Sequence, residues 1–268
     1  MVDQPIIMGV LNITPDSFSD GGLFFEAQSA IDQAVLMVEQ GADIIDIGGE
    51  STRPGAPEVS AEDELKRVLP VIEALSGNID VPISIDTSKP VVMRRAFDAG
   101  ASIINDVYAL RSEGALEMAA SLGADVCLMH MQGNPRTMQK NPKYDDVVSD
   151  VKIFFTERLE ACSAVGIKLE SITLDPGFGF GKNLAHNIAL LKNLAEFHDF
   201  GVSILAGLSR KSMIGSLLGD KEVDSRMIGS VTAALIAVEN GANIIRAHDV
   251  AETKDALTVW QQIKHFRE

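Results

Sequence analysis

GADIIDIGG, residues 41–49, compresses a helix stop, a buried strand and a turn into one short run. Glycine can take the left-handed conformation that ends a helix, so Gly41 closes the segment before it and the chain enters the apolar IIDI within two residues. The same arrangement recurs at Gly100 in GASIIND, at Gly123 in GADVCLMH and at Gly241 in GANIIRAHD. Working outward, the apolar runs IIMGVLNI, DIIDIGG, VPISID, SIINDV, DVCLMH, SITLDPG, VSILAGLS and NIIRAHD stand apart with amphipathic segments between them. Nearly continuous apolar character is what strands covered on both faces require, and the alternation specifies a parallel sheet with crossover helices. An open doubly wound sheet would usually carry an early G-x-G-x-x-G turn, and a solenoid would keep even spacing; neither is seen. The expectation is a single-domain α/β protein, a (β/α)8 TIM barrel filling residues 1–268.

Composition narrows the partners. A formal charge of -15 over 268 residues opposes nonspecific binding to nucleic acid, which needs a positive surface. No apolar run reaches membrane-spanning length and no basic leader precedes one, so neither a membrane nor a secretory segment is expected. Cys127 and Cys162 suggest no pairing by pattern, which fits a reducing, cytoplasmic setting. For an anionic ligand the overall field is unfavourable, so local cations and backbone N–H groups must overcome it.

Nearly every apolar run closes on a polar residue: Asn12, Asp46, Asp86, Asn105, His130, Asp175, Ser209 and His248. One such residue could merely cap the following helix. In a barrel, however, all of them converge on one mouth. Asp86, Asn105 and Asp175 would present acceptors to a flat ring edge rich in N–H donors, of the pterin or purine kind. Paired carboxylates also suit glycosidase chemistry or magnesium, but no metal-spaced cluster accompanies them, and an organic ring edge fits better.

Cations follow in two places. GLSRKSMIG reads as strand, tight turn and helix start, which puts Lys211 beside the mouth and Ser212 at a helix N-terminus, where free N–H groups attract anions. A surface lysine and a simple cap would read the same way. Arg246 and His248 alternate in NIIRAHD, share one strand face and are expected beside Asn12 across the closure; an arginine paired with Asp249 is the alternative. In DPGFGFGK, residues 175–182, Phe178 and Phe180 could stack on a planar substrate or pack in the core, and Met129 could line an apolar wall. The loops TPDSFSDGGLFFEAQS and ESTRPGAPEVSAED read as mobile binding loops.

Taken together, MGVLNITPDSFSDGG, IIDIGGESTRPGA, SIDTSKP, IINDV, LMHMQGNP, LDPGFGFGKN, GLSRKSMIG and IIRAHDV resemble the dihydropteroate synthase family, in the expected order from Ile7 to about Leu257. The resemblance implies a barrel that joins 6-hydroxymethyl-7,8-dihydropterin pyrophosphate to p-aminobenzoate and releases pyrophosphate, usually with magnesium (Mg2+). It implies a pterin edge at Asp86, Asn105 and Asp175 with Lys211 donating to the ring. It further implies a pyrophosphate and magnesium pocket at Asn12, Arg246 and His248, and a p-aminobenzoate side at Thr52, Arg53, Lys211, Ser212 and Phe180. Asp16 and Phe18 resemble first-loop residues that close over the reacting carbon. A homodimer and competition by sulfonamides follow from the same resemblance. Two other classes share the fold: a pterin-dependent methyltransferase, which would not need the Arg-Lys-Ser run or Arg246 and His248, and a non-catalytic pterin-binding relative, which would have lost loop or cation residues.

Overall fold

The computed structural model describes residues 4–13, 22–52 and 55–266, with residues 22–26 as backbone only. The eight apolar runs form strands β1 (Ile6–Asn12), β2 (Ile44–Gly48), β3 (Ile83–Asp86), β4 (Ile103–Asp106), β5 (Asp125–Met129), β6 (Ile172–Asp175), β7 (Ser203–Ala206) and β8 (Ile244–Ala247). They pair in parallel in chain order. The ring closes where Ile6 of β1 lies opposite Ile244 of β8. Helices α1 (Gly22–Glu39), α2 (Ala61–Leu75), α3 (Pro90–Ala99), α4 (Ala115–Leu122), α5 (Val147–Ala164) and α6 (Leu184–Lys192) follow the first six strands in turn. After β7 come two helices rather than the single one expected, a short α7 (Ser212–Leu217) and α8 (Met227–Glu239), and α9 (Val250–Lys264) follows β8. The result is a (β/α)8 barrel. Among the described residues no helix is long and apolar enough to cross a membrane.

The glycine stops work as their sequence context demands. Gly100 has φ of 122°, and a β-carbon there would fall 2.1 Å from Ser76 Oγ. Gly241 has φ of 105°, with the corresponding position 2.6 Å from His198 Nε2. The positive φ strains any side chain at either position, and the close approach would force Ser76 or His198 to shift.

Alternation along the strands sorts the barrel interior into layers. At the bottom, Met8, Ile44, Cys127, Leu205 and Ile244 pack together as an apolar plug. Two residues further along, Asp46 and Arg246 face inward. At the mouth, register places Gly48 opposite Asp86 and Asp86 opposite Asn105, while Met129 lies opposite Asp175. The large apolar core lies outside this, between the strands and the helices, and includes Ile45, Ile47, Ile85, Ile104, Leu128, Leu174, Phe155 and Phe197. An apolar plug below, with charged side chains from Asp46 upward, is what confines the chemistry to one face.

Three expectations need correcting in detail. Asp46 does not end its strand but sits at its middle. Ser209 lies three residues beyond β7 and reaches His248, whose Nδ1 is 3.0 Å from its Oγ. His130 follows β5 directly but turns away from the mouth to meet Lys182.

Candidate active site at the mouth of the barrel

A single carboxylate oxygen organises one half of the site. Asp46 Oδ2 accepts from Asn105 Nδ2 at 2.9 Å and from Arg246 Nε at 2.6 Å, while Arg246 Nη2 donates to Asp86 Oδ2 at 2.9 Å. Arg246 is thus clamped between two carboxylates. Asp249, the partner considered from the sequence, is held instead by Arg210, whose Nε and Nη2 donate to its two oxygens.

Asp175 and Lys211 organise the other half. Gly177 N–H donates to Asp175 Oδ1 at 2.8 Å. Lys211 Nζ donates to the Phe178 carbonyl and stands 4.7 Å from the centre of the Phe180 ring, within cation–π range. Gly207 joins the halves, because a β-carbon there would lie 3.8 Å from both Arg246 Cβ and Lys211 Nζ. Asn12 sits on the same rim: a β-carbon at Gly48 would lie 3.7 Å from Asn12 Oδ1 and 3.7 Å from Asp86 Oδ2.

Burial tunes these groups. Asp86 is pushed up to about 7, chiefly by burial and further by Asp46, Asp106 and Glu64, with Arg246 pulling the other way. Asp175 is likewise raised by burial, against Lys211 and the Gly177 N–H. Lys211 is brought down to about 8 by burial, although Asp175 favours its charge. Arg246, between Asp46 and Asp86, is held still more firmly as a cation despite its burial. Two carboxylates raised and one lysine lowered at a single mouth is the pattern of a working site rather than of a surface.

The apolar wall is Met129, Met131, Met138 and Val107, with Tyr108 and Phe180 against it. Phe178 is instead fully buried in the core, which settles the alternative left open for it. Thr52 and Asp86 line a cavity of about 520 Å³ that continues past Lys89 and Tyr108 to Arg136, ample for a small organic ligand. Asn105, Asp175 and Lys211 stand outside that lining. Ser212 is the first residue of α7 rather than its cap, a position Lys211 takes.

The expected residues Asp86, Asn105, Asp175, Lys211, Arg246, Asn12, Met129 and Phe180 therefore come together. Asp16, Phe18 and Arg53 lie outside the described residues. Sequence reasoning passed over Lys182 and Asp106. Lys182, although a lysine, is 3% exposed and donates to the carbonyls of His130, Gly177 and Phe180, which knots the glycine-rich loop. Asp106 accepts from the N–H groups of Tyr108 and Leu110 and so shapes the turn after β4. The signal for both was a charged residue adjoining an apolar strand or a glycine loop.

Comparison with known proteins agrees with this geometry. The family model described as pterin binding enzyme matches residues 8–248. A dihydropteroate synthase of Haemophilus influenzae is 58% identical over 257 residues, covering 96% of this chain and 93% of that protein. The structure of a Xanthomonas albilineans dihydropteroate synthase with 4-aminobenzoic acid superposes with a TM-score of 0.94 at 50% identity, covering 99% of this chain and 95% of the other. That of the Yersinia pestis enzyme with a sulfonamide drug does so with a TM-score of 0.94 at 52% identity, covering 99% and 96%. A barrel whose mouth gathers carboxylates, an amide and two cations, and whose sequence is more than half shared with such a relative along nearly its whole length, belongs to the dihydropteroate synthases of the pterin-binding enzyme family.

Proposed function

We propose that this chain is a transferase of folate biosynthesis that condenses 6-hydroxymethyl-7,8-dihydropterin pyrophosphate with p-aminobenzoate to give 7,8-dihydropteroate and pyrophosphate. The observation that carries the reading is the joining of Asp86, Asn105 and Arg246 through Asp46, beside Asp175 and Lys211. The arrangement suits a flat ring with donors on its edge and an anion on its side chain.

In this reading Asp86, Asn105 and Asp175 hold the pterin edge, and Lys211 donates to the ring. As the carbon–oxygen bond to pyrophosphate breaks, positive character develops on the methylene carbon and spreads into the electron-rich ring, where the two carboxylates favour it. Arg246 and His248 are assigned to the departing oxygens. The arylamine is nucleophilic when neutral, so it needs orientation rather than a base. Thr52, Arg53, Ser212 and Phe180 are the residues assigned to that task, with Phe180 and Lys211 forming a stacked, cationic face. Asp16 and Phe18 are assigned to closing the first loop over the reacting carbon.

Magnesium is part of the proposal. Asn12 offers a neutral amide oxygen, and among the described residues no three His, Cys, Asp or Glu side chains form a metal cage. The Asn12 amide oxygen is the kind of hard donor that magnesium takes, and substrate phosphates and water would complete its shell. When bound through Asn12 it would neutralise charge on the leaving pyrophosphate.

A homodimer is proposed as well, supported by exposed Ile228 and Ile236 on α8 and Val259 and Ile263 on α9. A cytoplasmic location accords with two free, buried cysteines. Sulfonamides, seen in the Yersinia relative, are expected to compete with p-aminobenzoate. The deciding experiment mixes the purified chain with pterin pyrophosphate, p-aminobenzoate and magnesium and measures released pyrophosphate. Release that requires both organic substrates is expected; none, or release without the arylamine, overturns the proposal.

A further inference from the structure

Asp46 is not itself assigned to a substrate, yet it hydrogen-bonds two residues that are, Asn105 and Arg246. Its side chain is fully buried at mid-strand, and Oδ2 alone receives both Asn105 and Arg246. A carboxylate paired with a guanidinium accepts hydrogen bonds and cannot donate them. The atom of Asn105 that meets it must therefore be the amide nitrogen. This removes the ambiguity of a primary amide, whose two ends could otherwise exchange.

We infer that Asp46 is a positioning residue that fixes which way the Asn105 amide faces, and so sets the hydrogen-bond polarity of the pterin edge. With one Nδ2 hydrogen committed to Asp46, Asn105 is left with Oδ1 as acceptor and one N–H as donor. That pair complements a ring edge on which an exocyclic amine lies beside a ring nitrogen, and it rejects an edge carrying a carbonyl in place of the amine. Arg246 is oriented by the same oxygen. Its Nε is spent on Asp46, which turns Nη2 to Asp86. Packing alone does not require this arrangement, since well-packed apolar residues commonly replace a buried ion pair without loss of stability.

The inference rests on the pterin reading of the site, and the test separates the two. Dissociation constants are measured by calorimetry for 6-hydroxymethylpterin and for its counterpart with a carbonyl replacing the exocyclic amine, on the parent, D46N, N105A and the double variant, alongside melting curves. The parent is expected to prefer the amine. D46N should lose about tenfold of that preference, because its amide can donate and lets Asn105 turn over. In the N105A background, D46N should cost nothing further in preference. If D46N weakens both probes equally and keeps the preference, or if the losses add in the double variant, Asp46 is merely structural and the inference falls. A D46N that does not fold is replaced by D46S, a smaller buried acceptor read by the same criteria. A parent that binds neither probe overturns the pterin reading itself.

Discussion

Lys182 Nζ lies 2.9 Å from His130 Nδ1, with both side chains buried. Burial pushes the lysine well below its usual range and holds the imidazole down at about 2. A neutral imidazole with its δ nitrogen turned to a lysine serves as an acceptor. This contact and three carbonyls anchor the loop that carries Phe180 and the Phe178 carbonyl, on which Lys211 rests.

Replacing Lys182 by methionine keeps the volume and removes every donor. Leaving those carbonyls unpaired is expected to cost on the order of 2–3 kcal/mol of stability. Because Phe180 is assigned to the arylamine, KM for p-aminobenzoate should rise more than kcat falls. Denaturant melts and steady-state kinetics check both. An unchanged KM would detach the loop from that substrate.

The raised Asp86 and lowered Lys211 predict a bell-shaped dependence of kcat/KM on pH. As pH falls through about 7, Asp86, facing Asp46, Arg246, Asp106 and Glu64, takes a proton and stops being a charged acceptor. As pH rises through about 8, Lys211, facing Asp175, Arg246 and Asp86, loses its charge. Activity should therefore peak between those values, and D86N should lose the acidic limb. The stability consequence has a definite sign. A carboxyl raised above its ordinary 3.8 favours the fold most below that pH and progressively less up to about 7. D86N should thus gain more in melting temperature over the parent at pH 8 than at pH 4.

The eight strands and the mouth were legible because apolar runs, glycine stops and terminal polar residues are local features. Asp86, Asn105 and Asp175 followed from position alone. The partnership of Asp46 with Arg246 was not legible, because β2 and β8 are not neighbours and their side chains meet only across the lumen of the closed barrel. Asp249 was the alternative partner that the sequence offered for Arg246. The turn after β7, with Arg210 at φ of 57°, delivers Arg210 to it instead. The helix start at Ser212 was legible, but its stop after six residues and the fresh start of α8 at Met227 were not, because so short a helix shows no period of its own.

Gly177 and Gly201 offer a controlled pair. Both have nearly the same left-handed backbone, with φ of 72° and 71°. A β-carbon at Gly201 meets nothing within 4 Å, whereas at Gly177 it would fall 2.0 Å from the His130 carbonyl oxygen. G201A should cost about 1 kcal/mol, the strain of a left-handed alanine. G177A must move backbone against backbone, displacing the N–H that Asp175 accepts, and should lose most activity along with several times more stability. Equal effects in melts and turnover would show that the close approach is unimportant.

Lys89 is the cap residue of α3, and its Nζ donates to Glu50 after β2 and, at 2.5 Å, to Glu64 on α2. The Glu64 side chain is fully buried, and Glu50 is a quarter exposed. Removing the lysine leaves Glu64 a buried charge without its counter-ion, so K89A should cost about 3–5 kcal/mol. E50A leaves Lys89 still paired and should cost under about 1 kcal/mol. Because Glu50 lies two residues before Thr52, both variants should also raise KM for p-aminobenzoate. Adding E64Q to K89A removes the stranded charge and should recover most of the lost stability while leaving KM high, since the link to Glu50 stays broken. Denaturant melts and KM on the three variants check this. If E64Q restores nothing, the cost of K89A lies in the cap of α3 rather than in the buried carboxylate.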